Sequence, residues 1–153
     1  MHDICIIGTN PPCPRCSLLK KIVEELAADE DLVADVRHIT YIAPEAVHFA
    51  QSYGLIPGTA KDVAKVLGQR IDLSEFNKQN AQDYANENKP YESYNNFGWS
   101  YGLDEFLRPY EDAAEKSGIL MTPILMINGK LIHAGSVPAI ENIKKWLIMV
   151  HKQ

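Results

Sequence analysis

The chain has 153 residues, 46% of them apolar, enough for one compact domain around one main core. Its formal charge of −5 at pH 7 argues against a nucleic-acid footprint and against an anionic membrane surface, which leaves a protein partner or a small substrate. Three cysteines are too few and too unevenly placed for a disulfide scaffold, and a reducing cytosol would not maintain one.

Met1-His2-Asp3 runs directly into "ICIIG", too brief for a signal segment and without a basic flank, and no apolar run approaches transmembrane length. The expectation is a soluble, cytoplasmic protein. "DICIIG" (3–8) is a nearly continuous apolar run, the pattern of an interior strand covered on both faces. Cys5 inside it reads as a small buried hydrophobe. The turn "TNPP" ends the strand, and from Pro14 the residues Leu18, Leu19, Ile22, Val23 and Leu26 recur at helical spacing. Pro14 fits the first turn, where no amide hydrogen bond is lost. "LVADVRHITY" (32–41) is rich in β-branched residues and predicts a second strand, so the chain starts β-α-β.

Three helical patterns follow, "PEAVHFAQSYG", "TAKDVAKVLGQ" with Thr59 and Asp62 as a capping box, and "SEFNKQNAQDYANEN" from Ser74. "GLDEFLRPYEDAAEKSG" predicts a fourth helix that Pro109 must kink or split. The stretch joining the last two holds six of the thirteen aromatic residues, Tyr84, Tyr91, Tyr94, Phe97, Trp99 and Tyr101. They fit either a small local core or a groove over the cysteines that receives a substrate or partner. "TPILMINGKLIHAG" is the strongest hairpin signal, two short strands about Asn128-Gly129, a pair suited to a type I′ turn. A last helix begins at Pro138, with Ile140, Ile143, Trp146, Leu147 and Val150 as its core stripe. The end reads β-β-α.

Cys13 and Cys16, two residues apart where an apolar strand gives way to a helix, point to reversible sulfur chemistry or to a metal. A zinc site needs two further ligands, and neither a second C-x-x-C nor an H-x₃₋₅-H is present; an iron–sulfur cluster would have to be shared between two chains. His2, His38, His48, His133 and His151 are scattered and read as surface or packed residues.

The C-x-x-C at a helix start, followed far along the chain by Thr122-Pro123 directly before a β-β-α end, resembles the thioredoxin fold. More narrowly, "CPRC" together with "TPILMINGKLIHAGSVPAIENIKKWL" is similar to the small thioredoxin-like redox-active disulfide proteins of archaea and bacteria. The resemblance covers about residues 1–53 and 116–150. It implies an α/β fold, a four-stranded mixed sheet flanked by helices, as a single domain over 1–153 with a mostly helical insertion at 45–115 before the proline strand. It also implies Cys13 and Cys16 as the active couple and a cis bond at Pro123. Two departures stand out. Thioredoxin carries "WCGPC", whereas Pro11 and Pro12 precede Cys13 here, and by gapless count the buried acid of thioredoxin's first core strand falls on Ile7.

At a helix N-terminus the sulfur of Cys13 would face unpaired amides and the positive dipole end, which favours a thiolate. Cys16, one turn in, would be the buried resolving thiol. Arg15 would favour the thiolate further, Pro12 and Pro14 would stiffen the turn, and Thr122 would turn its backbone outward as an edge for an extended substrate. The expected activity is thiol–disulfide exchange with a protein or small-molecule disulfide, with a separate reductase and no cofactor. The alternative is a binding module whose insertion docks a partner and whose cysteines hold metal or are vestigial.

Overall fold

The structure is a computed structural model, and it describes residues 1–10, 14–71 and 101–152. The third predicted helix, from Ser74, lies outside the described residues, as do Pro12, Cys13, Tyr84, Tyr91, Tyr94, Phe97 and Trp99.

The strand β1 (His2–Gly8) is followed by α1 (Pro14–Asp29) and β2 (Ala34–Thr40). Next come α2 (Pro44–Gln51), β3 (Ile56–Gly58), α3 (Ala60–Val66) and α4 (Tyr101–Ala114). A 3₁₀ turn (Glu115–Ser117) leads to β4 (Ile119–Met121), β5 (Ile124–Ile127), β6 (Lys130–Ala134) and α5 (Ile140–His151). The main sheet has the order β2-β1-β5-β6, with β1 parallel to β2 and antiparallel to β5. It is therefore the four-stranded mixed sheet that the resemblance implies, and the fold is thioredoxin-like.

The continuous apolar run of β1 has a simple cause: both its faces are covered. Ile4 and Ile6 pack with Leu18, Leu19, Ile22 and Val23 of α1 and with Ile143 and Leu147 of α5. Cys5 and Ile7, pointing the other way, pack with Ala46, Phe49 and Ala50 of α2 and with Ile124 and Met126 of β5. Alternation along a strand thus sorts four consecutive buried residues between two cores. Trp146 and Ile140 lie partly buried against the first of them, so the stripe on α5 is core.

Asn128 and Gly129 have φ of 51° and 79°, as a type I′ turn requires. Asn128 also fixes the hairpin to β1, its side chain accepting from the Asp3 amide at 2.9 Å and its own amide donating to the Asp3 carbonyl at 2.7 Å. Thr59 and Asp62 form the expected capping box on α3.

Three local features depart from sequence reading. Pro109 neither splits α4 nor ends it: the helix runs through from Tyr101 to Ala114. Pro109 lies on the exposed side, and so does Glu105 one turn earlier, whose carbonyl loses its usual donor where water can replace it. The last helix begins at Ile140 rather than Pro138, with Ala139 in extended backbone as its N-cap. Finally, β3 and β4 form a separate two-stranded parallel sheet. Ile56-Pro57-Gly58 is too short to show a strand period, and its pairing comes from tertiary contact. Over it, α3 and α4 bury Val63, Leu107 and Ala114 against Ile119 and Met121.

Candidate functional site

The C-terminal end of β1 delivers the chain to the motif at Gly8, and α1 resumes it at Pro14. Cys16 lies in the first turn of α1 and is fully buried, as expected for the thiol further into the helix. Cys13 lies outside the described residues.

Arg15, between the two cysteines, is also buried, at 5% exposure. A guanidinium there requires an anion and further acceptors, and both come from distant sequence. Its Nε donates to Asp104 of α4 at 2.8 Å, and its Nη2 donates to the carbonyl of Gly135. The other Asp104 oxygen accepts from the Val137 amide at 3.3 Å, just before α5. The amide of Gly135 in turn donates to the carbonyl of Pro123 at 3.0 Å. The Arg15 cation, expected beside a thiolate, is thus matched by a buried carboxylate.

The Thr122–Pro123 peptide is cis, and Thr122 is buried. Its amide, expected to face outward for a substrate, donates instead to the Gly58 carbonyl at 2.9 Å. That bond continues the β3–β4 pairing by one residue, so this donor is already used.

A second polar chain lies next to Arg15. Ser136 donates to Glu111 of α4 at 2.9 Å and is 2.9 Å from Nε2 of His133 on β6. Glu111 also holds Arg108 at 2.6 Å. Burial pushes the His133 imidazole below its ordinary pKa, which keeps it neutral near pH 7. Gly135, at φ 99°, stands where a Cβ would meet the Glu111 side chain at 2.7 Å, so both backbone and space require glycine there.

On β1, Gly8 lies against Cys16. A Cβ at Gly8 would stand 2.4 Å from Cys16 Sγ and 3.0 Å from Nε2 of His38 on β2. Ile7, where the thioredoxin acid falls by count, belongs to the α2-side core on the opposite face of the sheet. Cys5 belongs to that same core, and burial pushes its thiol up to about 11. It is a packed residue away from the motif.

Asp104, Gly135, Gly8 and His38 carry no recognisable motif in the sequence. The signals that were present are faint: an acid in an otherwise amphipathic helix, and a glycine closing a strand just before C-x-x-C.

The fold and the buried links from the C-x-x-C segment to the cis-proline define the class, a thioredoxin-like α/β protein. Residues 98–148 match the family model described as Thioredoxin domain, a span that takes in α4, the cis-proline, the hairpin and most of α5. No curated protein and no solved structure matches the chain. Among the described residues no helix is long and apolar enough to cross a membrane.

Proposed function

We propose that the protein is a cytoplasmic thiol–disulfide oxidoreductase that uses Cys13 and Cys16 as its couple. The observation that carries this reading is the link Arg15–Gly135–Pro123, which ties a residue between the two cysteines to the cis-proline loop. Cys13 immediately precedes in sequence the helix that starts at Pro14, where amides and dipole would favour a thiolate.

In the reduced enzyme the Cys13 thiolate attacks one sulfur of a partner disulfide. A bond forms between Cys13 and that sulfur, and the other partner sulfur leaves as a thiolate. Cys16 then loses its proton and attacks Cys13. The Cys13–Cys16 disulfide forms as the second partner sulfur leaves, so the partner gains two electrons and the enzyme loses two. A reductase restores the dithiol. The span 45–115 acts as an insertion within the single domain, and its aromatic residues Tyr94, Phe97, Trp99 and Tyr101 contribute to partner choice.

Replacing Cys16 with serine stops the sequence at the mixed disulfide. Incubation of Cys16→Ser with a cell extract, followed by non-reducing electrophoresis, will show adducts that reductant releases. The Cys13→Ser variant will show none. Equal trapping by both variants would overturn this assignment of roles, and no trapping by either would remove the exchange reading.

A further inference from the structure

Resolution by Cys16 raises a question of protons. A buried thiol ionises poorly unless a base stands beside it. The count that places an acid in thioredoxin places Ile7 here, on the wrong face of the sheet to serve Cys16.

The neighbours of Cys16 supply another base. In the parallel register of β1 and β2, Ile6 lies opposite His38, and Gly8 opposite Thr40. Alternation puts Ile6, Gly8 and His38 on the face that carries α1. Because Gly8 has no side chain, Cys16 Sγ and His38 Nε2 both border the space where its Cβ would be, at 2.4 and 3.0 Å from that point. His38 Nε2 is buried and has no hydrogen-bond partner among the described residues. A buried nitrogen left without a partner is costly, and such an atom calls for an explanation.

We propose that His38 Nε2 takes the proton of Cys16 when Cys16 closes the disulfide on Cys13. The proposal rests on the exchange reading above and supplies its missing proton acceptor. The S–H bond of Cys16 breaks as an N–H bond forms at Nε2. The sulfur lone pair so released attacks Cys13, and the partner sulfur leaves with the electrons of its broken S–S bond. The imidazolium afterwards returns its proton to solvent.

The electrostatic setting agrees. Burial, and then the Lys20 charge on α1, hold the His38 imidazole below its ordinary pKa. It is therefore neutral and able to accept near pH 7. Among the described residues, Cys16 and Lys20 of α1 are the titratable groups set against it, with Ile6 and Gly8 beside it on β1; Lys20 is itself paired with Glu24 at 3.1 Å.

The test is a stopped-flow single turnover of the reduced full chain with 5,5′-dithiobis(2-nitrobenzoate). The first nitrothiobenzoate leaves when Cys13 attacks, and the second leaves when Cys16 resolves. In His38→Gln the first phase will be unchanged and the second will slow about 100-fold at pH 7. In the wild type the second phase will fall as pH drops through the His38 titration. In the variant it will instead climb steadily with pH into the thiol range. A second phase with the same rate and pH profile in both proteins would overturn the role of His38. A wild type that releases one nitrothiobenzoate and never a second would instead overturn the exchange reading. Nitrogen NMR of the wild-type imidazole decides the matter even if the variant does not fold. At pH 7 His38 will be neutral with its proton on Nδ1, and a charged ring or a proton on Nε2 would overturn the proposal.

Discussion

A single hydrogen atom on Gly8 separates β1 from the sulfur of Cys16. A methyl group there would overlap Cys16 Sγ at 2.4 Å and crowd both Cys16 Cβ and His38 Nε2 at 3.0 Å. The backbone of Gly8 is not left-handed, so space and not φ makes the demand. Gly8→Ala will therefore lower stability by about 1–3 kcal/mol, as overpacking of a close-packed interior does. A shift in urea midpoint at unchanged slope will show it, and an unchanged midpoint would mean that α1 slides away freely. At this scale the sequence is uneven in what it reveals. Cys13 and Cys16 are legible because their spacing is local and their chemistry narrow. Gly8 and His38 are not, because their relation depends on the register of two strands thirty positions apart.

Among the elements, the contact between α1 and α4 is the one that sequence periodicity could least foresee. Each helix shows its own amphipathic pattern, yet the junction is polar: Arg15 and Asp104, both about 6% exposed in their side chains, meet at 2.8 Å. Removing one partner leaves the other charged and buried, which costs about 3–5 kcal/mol, whereas replacing both with apolar residues is near neutral. Asp104→Ala will thus destabilise the protein far more than the pair Arg15→Met with Asp104→Leu, a difference that urea denaturation of the two variants will measure. Equal losses would mean that the pair acts through shape rather than charge. The β-α-β start and the β-β-α end are legible from apolar periodicity, Asn128-Gly129 and the proline positions. The strands β3 and β4 are not, since three residues each give no period and each depends on the other for its hydrogen bonds.

For the molecule as a whole, the mixture of partly buried histidines and surface ion pairs sets a pH response. His38 and His133 both have pKa values depressed mainly by burial. In the unfolded chain they titrate near about 6.5, so at mildly acid pH the unfolded state binds more protons than the folded one. Stability is then full above that value and falls as pH drops through it toward the lower folded values. Further down, Asp3 and Glu45, both held low by Arg37, add a second loss below the ordinary carboxylate range. Urea unfolding at pH 8, 6.5 and 5.5 will show stability declining across the series, above the ordinary carboxylate range. A flat profile between pH 8 and 5.5 would mean that both rings are already charged or solvated. At this scale the sequence was most informative: two apolar halves with the right order of elements imply one sheet, and that sheet is present. What stayed hidden is how the span between the halves is joined to it.

That join has a consequence for how such a chain can change over time. Arg15, between the two cysteines, is held by the carboxylate of Asp104 in the 45–115 span, and the same carboxylate receives the amide ahead of the final helix. Taking Asp104 away with that span would leave the Arg15 guanidinium buried without its carboxylate. Positions 15 and 104 are therefore expected to vary as a pair.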